Sequence, residues 1–337
     1  MPKTARPRGF ARALAAVAAA TALAVSAAAC GSGDTGEEQA GASGSGAFPR
    51  TVEHFRGEAE IPEQPARIVT LDTSYTDAAI ALELEVVGRI TYHDFDQELP
   101  EYLGEDGATY AGDAEIVGTQ EAPDLAAIAE LEPDLIVSAD VRHADIYDQL
   151  SSIAPTIFSE TTGATWKDNI RLLAEATGTE DLAEEKIGAY EERAAEVGAA
   201  IEDANGGEAP TISITRFAGE PTVRLYSSAS FPGIVMADTG LSRPEDAPDS
   251  DTEIMVDLSQ EEILDLDADQ IFIGRWDDGS EGSAEKADAF LDNPLWDRLE
   301  GEQHDVQDVV WFTSVSLQGA EGILDDLEEI LATPDEG

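Results

Sequence analysis

Three arginines, Arg142, Arg216 and Arg275, stand at the end of short Ile/Val-rich runs or just past them: DLIVSA (134–139), TISITRF (211–217) and DQIFIG (269–274). Aromatic residues take the same kind of position. Tyr75 follows RIVTL, Tyr92 follows EVVGRI, Tyr226 ends TVRLY, Trp276 follows Arg275, and Trp311 lies in DVVWF. Guanidinium forks suit charged or polarised oxygens, and aromatic faces suit an apolar surround. That is the chemistry of holding a ligand. Polar and ring-bearing neighbours fill out the same strand ends: Thr73, Ser74, His93, Thr119, Gln120, His143, Phe217, Ser227, Phe312 and Thr313. Arg224, inside a run, reads as half of a structural ion pair. Trp166 and Trp296 read as packing residues.

Bond-making chemistry finds less support. Beyond residue 49 the chain has no HExxH, phosphate loop, GxGxxG or nucleophile elbow. Of its four histidines, His93 and His143 both follow strands and with a carboxylate could bind a bare metal ion. Asp246, Asp249, Asp251 and Glu253 lack the glycine of a calcium loop and read as a solvated turn. No cofactor is expected.

The elements that must position these residues are legible from periodicity. Asp181–Ala204 carries Ile187, Tyr190, Ala194, Val197 and Ile201 at spacings of three and four, one apolar stripe of a long helix. Its other faces carry Glu184, Glu185, Glu191, Glu192 and Glu196. On either side, β-rich runs alternate with helical ones, which implies parallel sheets covered on both faces. Ile128, Leu131, Asp134 and Ile136 recur as Ile263, Leu266, Asp269 and Ile271, each 135 positions later. This unit of helix, acidic elbow and strand, on both sides of the long helix, predicts an α/β protein. Two Rossmann-like lobes with mostly parallel sheets are bridged by one long α-helix acting as a strut. DVVWF is expected to be a strand, Ser259–Leu266 a helix, and Pro123 the start of another. In open α/β sheets, ligands sit outside the carboxyl ends of the strands.

Residues 1–29 have a basic start (Lys3, Arg6, Arg8, Arg12) and an uncharged Ala-rich run, which reads as an export signal. Cys30, the only cysteine, follows directly, so no internal disulfide can form. The placement resembles a bacterial lipoprotein signal with a lipidated Cys30, although Ala27 stands where Leu or Val is usual; ordinary cleavage leaving a free thiol is the alternative. Residues 30–49 read as a Gly/Ser/acid-rich tether. The remaining boundaries are expected at 50–163 for the first lobe, 164–204 for the bridging segment and 205–337 for the second lobe. The chain has 19 Lys+Arg against 71 Asp+Glu, a net charge of −52. Without residues 1–29 it keeps 15 of the basic residues and all the acids, a net of −56. Nucleic acid is excluded as a partner, because binding it needs positive charge to displace counterions. The acidity reads as adaptation to a saline habitat.

The segments TVEHF, IPEQPARIVTLD, GTQEAPDLAAIAELEPDLIVSA, DIYDQLSSIAPTIF, WKDNIRLLAEATG, TRFAGEPTVRLY, NPLWDRL and VVWFTS together resemble the lipoprotein substrate-binding components of ABC importers for iron–siderophore complexes. The resemblance runs from Phe48 to the end. It implies two α/β lobes on one long helix with little lobe closure, a ferric siderophore in the cleft, and no covalent chemistry. It also implies a monomer anchored outside the cell by lipid on Cys30, and docking of an acid from each lobe on the permease, with Asp145 and Glu261 at helix starts as candidates. The expected ligand contacts are Tyr75, Tyr92, Arg142, Arg216, Tyr226, Arg275, Trp276 and Trp311. A haem or cobalamin-type ligand, with Tyr75, Tyr92 or His93 nearest the metal, is the alternative within the family; a secreted enzyme is the alternative outside it.

Overall fold

A hairpin of β1 (Arg50–His54) and β2 (Gly57–Ile61) leads into two five-stranded sheets. The computed structural model describes residues 47–92, 98–276 and 283–332, all within the compact unit Ser43–Gly337. The expected signal, Cys30, His93 and nearly all of the tether lie outside the described residues.

The first sheet has β3 (Ile68–Thr70), β4 (Val86–Arg89), β5 (Glu115–Ile116), β6 (Leu135–Ala139) and β7 (Thr156–Ser159) in the order β5-β4-β3-β6-β7. Every pairing in it is parallel. The strand order reverses between β3 and β6, the switch point at which doubly wound sheets open a crevice. The second sheet has β8 (Ile212–Phe217), β9 (Val223–Tyr226), β10 (Met255–Leu258), β11 (Gln270–Arg275) and β12 (Glu302–Val306) in the order β10-β9-β8-β11-β12. Here β8, β11 and β12 run parallel, while β9 is antiparallel to both of its neighbours.

The internal echo has a structural meaning. Asp134 accepts hydrogen bonds from the backbone N–H groups of Ala66 and Arg67, both at 3.0 Å. Asp269 does the same for Thr211 N–H at 2.8 Å. Each elbow carboxylate therefore ties down the start of the central strand beside it, while Ile128, Ile136, Ile263 and Ile271 are buried.

The bridging helix spans Glu180–Ala204, 25 residues or about 37 Å. All five residues of the apolar stripe are buried. Scarce basic residues tie it down: Lys167 bonds Glu191 at 2.8 Å, and Arg193 bonds Glu321 and Asp325 of the closing helix Leu317–Leu327. The helix does more than hold two lobes apart, because the lobes also touch directly through one continuous core. In that seam Asp77, on the helix Thr73–Ala81 after β3, accepts hydrogen bonds from three hydroxyls. These come from Tyr92, from Tyr102 at 2.8 Å and from Ser314 of the second lobe at 2.8 Å. Gln318 Nε2 donates to the Asp77 carbonyl at 2.8 Å.

Gly198 lets the bridging helix approach its neighbour. A Cβ there would meet the Thr239 carbonyl oxygen at 1.8 Å. Alanine gains up to about 1 kcal/mol of helix propensity over glycine, but a backbone oxygen cannot swing aside. Gly198→Ala is therefore expected to lose about 1–3 kcal/mol in chemical denaturation, as overpacking does.

Three local expectations change. DVVWF is not a strand: β12 ends at Val306, and Val309–Thr313 is a π-helical turn closed by Ser314 N–H to Val309 O at 2.8 Å. Its apolar residues fill the core by turning inward rather than by pairing. Ser259–Leu266 shortens to a 3-10 turn at Ile263–Leu266, because the Glu262 carboxylate binds Ser259 N–H at 2.9 Å and holds the residues before it outside the helix. The helix near Pro123 is Leu125–Glu130, capped by Asp124, which accepts from Ala126 N–H at 2.9 Å.

Candidate functional site

A cleft of about 570 Å³ opens between the two lobes, a volume within the range of small-molecule sites. The first lobe supplies Asp72 and Thr73 after β3, Gln120 and Glu121 after β5, Val141 and Arg142 after β6, and Thr161–Gly163 after β7. Each is held by local chemistry. Asp72 is the N-cap of its helix, with Oδ1 accepting from Ser74 N–H at 2.9 Å. Its Oδ2 accepts from Arg142 Nε at 2.9 Å, across the switch point between β3 and β6. With its amide oxygen facing Arg142, Gln120 also accepts from Nε and Nη1, both at 3.1 Å.

His143 fixes this corner. Its Nε2 lies 2.7 Å from the Gln120 carbonyl oxygen, so Nε2 carries the proton and donates; Nδ1, 2.7 Å from Ser138 Oγ, then accepts from that hydroxyl. Burial lowers its pKa, which keeps the ring neutral. Both nitrogens are occupied, so His143 clamps the Gln120 loop and has no lone pair free for a metal. Among the described residues, no group of three or more His, Cys, Asp or Glu has the geometry of a metal site.

The second lobe supplies an arginine–aromatic cluster. Arg216, near the end of β8 and 8% exposed, forks onto Asp308 with Nε–Oδ1 and Nη2–Oδ2 both 2.6 Å. Its guanidinium lies 5.4 Å from the Trp276 ring centre and 5.2 Å from that of Phe312, within cation–π range. The Phe312 ring is 4.6 Å from Tyr226, whose hydroxyl lies 3.4 Å from Arg216 Nη1. Burial lowers the Arg216 pKa, but the bonds and charges of Asp308 and Tyr226 together offset it and the net shift is upward. Arg224 pairs directly across β8–β9 with Arg216, so both side chains stand on one sheet face. Facing like charges repel, and Arg224 has its own carboxylate, Glu220, four residues earlier.

Gly274 on β11 makes room for this cluster, because a Cβ there would sit 2.2 Å from Phe312 Cε2. Gly274→Ala is expected to cost about 1–3 kcal/mol in chemical denaturation by displacing that ring.

Of the residues singled out in the sequence, Arg142, Arg216, Tyr226 and Trp276 line the cleft. Arg275 points to the far side of Trp276, where it is half-exposed and bonds Asp305 at 2.8 Å beside a pocket of about 150 Å³. Tyr75 and Tyr92 are revised to core positions, 1% and 0% exposed. The helix after β3 begins at Thr73, so Tyr75 lies in its first turn facing inward, and Tyr92 is bonded to Asp77. A haem- or cobalamin-type site built on these two tyrosines would have its ligands in the interior, and His93 lies outside the described residues. Trp311 is likewise in the core, stacked on Phe272 at 4.8 Å, with its indole N–H donating to Asp326 at 2.7 Å. Asp145 and Glu261 are exposed; Asp145 sits in a 3-10 turn and Glu261 in a turn before Ile263.

Thr161–Gly163 also lies past a strand end, that of β7, whereas Arg224 and Thr252–Ile254 do not. β9 runs against both of its neighbours and brings mid-strand Arg224 to the cleft, residues just before β10 join it there, and strand direction has no mark in a short apolar run. The Glu220–Arg224 spacing was the one available signal.

A model of the periplasmic binding protein family matches residues 68–304. The chain is 34% identical over 307 residues to the probable siderophore-binding lipoprotein YfiY of Bacillus subtilis, covering 88% of this chain and 91% of that one. It is 27% identical to the Fe(3+)-citrate-binding protein YfmC of the same organism, over 78% of this chain and 79% of that one. The crystal structure of Staphylococcus aureus SirA complexed with staphyloferrin B superposes with a TM-score of 0.75 at 27% identity, covering 83% of this chain and 97% of SirA. With two α/β lobes on one long helix and a family match reaching from β3 into β12, the chain belongs to the periplasmic binding protein family.

Proposed function

We propose that this protein is an extracytoplasmic receptor that captures a ferric siderophore between its lobes and delivers it to an ABC permease. The observation that carries the reading is the cluster of Arg216, Trp276, Phe312 and Tyr226 facing Arg142 across a cleft of about 570 Å³. Such a surface offers hydrogen-bond donors for the oxygens around chelated iron and aromatic faces for an apolar scaffold. Relatives named for siderophore and ferric citrate binding, and SirA bound to staphyloferrin B, support the same reading. The iron arrives already chelated, and the protein performs no covalent step.

In this reading, residues 1–29 are a signal, lipid on Cys30 anchors a monomer to the outer face of the membrane, and residues 30–49 are the leash. The lobes are residues 50–163 and 205–337, with 164–204 between them. Asp145 and Glu261 are the acids that meet the permease. The test is uptake of radioactive iron by cells whose own copy is deleted and replaced by variants. Restored uptake from a ferric siderophore, reduced by Cys30→Ala and by Asp145→Ala with Glu261→Ala, is the expected result. Uptake that does not depend on the protein would overturn the reading.

A further inference from the structure

Among the described residues, the cationic groups that face the cleft already have partners. Arg142 bonds Asp72 at 2.9 Å, Arg216 is forked on Asp308 by two bonds of 2.6 Å, and Arg224 is held by Glu220. Glu121 and Glu253 also line the cleft. Among the described residues, three arginines therefore meet five carboxylates at or directly behind the wall, in a chain of net charge −52. Arg216 and Arg224 are direct cross-strand neighbours, an arrangement that two bare cations would make unfavourable. Their acids relieve that repulsion and also cancel the field that would attract an anion. A polyanionic ligand would have to displace Asp308 from a buried fork or enter beside carboxylates that repel it. A neutral or cationic complex meets no such barrier. Its oxygens can accept from hydroxyls in the wall, such as Thr161 and Thr313, and its body can lie on Trp276 and Phe312.

We infer that the cleft selects ferric complexes carrying no net negative charge, of the trihydroxamate type, and discriminates against polyanionic chelates such as tris-catecholates. This rests on the siderophore reading and adds a charge class to it.

The test is a fluorescence titration of the full chain in detergent, at one fixed salt concentration. The probes are a cationic ferric trihydroxamate, a neutral one, and a trianionic ferric tris-catecholate. The expected result is saturation by the first two at least about tenfold more tightly than by the trianion. Glu220→Gln, which leaves Arg224 without its carboxylate, is expected to narrow that ratio by tightening the trianion. A trianion bound as tightly as the neutral complex would overturn the inference and leave the siderophore reading standing, and so would a ratio that Glu220→Gln does not move. Silence towards every ferric complex would overturn the siderophore reading and the inference with it.

Discussion

Arg216→Ala is expected to destabilise the fold by about 3–5 kcal/mol, because it removes the guanidinium forked onto the buried Asp308 carboxylate. Arg216 and Asp308 are 8% and 9% exposed, and two bonds of 2.6 Å join them. The guanidinium is also the face against which Trp276 and Phe312 lie. Chemical denaturation measures the stability term. To separate folding from binding, the double replacement Arg216→Met with Asp308→Leu removes both charges and keeps the volume. It should recover most of the stability, since a buried ion pair replaced by apolar side chains is often neutral. It should not recover ligand affinity. A double variant that binds like the parent would show that Arg216 shapes the wall without touching ligand.

The second large effect concerns Asp77. Burial raises its pKa from 3.8 to about 7, against the opposing hydrogen bonds from Tyr92, Ser314 and Tyr102, while the nearby charge of Asp72 adds a smaller upward push. The folded state therefore holds this proton more tightly than the unfolded chain does. The stability it contributes is fully present below the unfolded value near 4 and is lost as pH rises towards 7. At 1.36 kcal/mol per unit, the difference is about 4 kcal/mol. Buried histidines act in the opposite direction: burial lowers the pKa of His54, His143 and His304, so their contribution grows as pH rises through the unfolded histidine range. The raised carboxyls of Glu175 and Asp326 have the same sign as Asp77. The slope is therefore isolated by difference. Parent minus Asp77→Asn stability, measured by denaturation from pH 4 to pH 8, should fall with pH and flatten above about 7. A difference that stays level across this range would refute a protonated Asp77 in the seam.

This seam bears on function because Ser314 and Gln318, which bond Asp77, follow the turn that presents Phe312 and Thr313 to the cleft. Thr73 Oγ1 adds a bond to Thr313 O at 3.4 Å. The two lobes share packing and hydrogen bonds as well as the bridging helix, consistent with a receptor whose cleft is largely formed before ligand arrives.

Much of this was legible in the sequence where one physical rule dominates. The bridging helix announced itself because a stripe at spacings of three and four has no other use in a long acidic segment. The elbow aspartates were visible because the same capping task occurs twice, at Asp134 and Asp269. Arg142, Arg216 and Trp276 were found by position alone, since the carboxyl edges of parallel strands converge on the crevice; Tyr226 lines the same wall from the end of the antiparallel β9. The rule failed where a residue's direction depends on tertiary packing. Tyr75 follows its strand too closely to escape the helix that starts at Thr73. DVVWF has strand composition, yet Trp311 gains more by stacking on Phe272 and bonding Asp326 than by extending β12. Arg224 was read correctly as an ion-paired residue, but not as part of the cleft wall, because its strand is antiparallel.

The most direct test of the account is calorimetric titration of the full chain in detergent with a ferric trihydroxamate, and with the same chelator free of iron. The expected result is saturable 1:1 binding of the iron complex alone, weakened by about 2 kcal/mol in Trp276→Ala, as for a central aromatic contact. Absence of saturable binding to any ferric chelate, or binding that Trp276→Ala leaves unchanged, would contradict the claim that this cleft is the siderophore site.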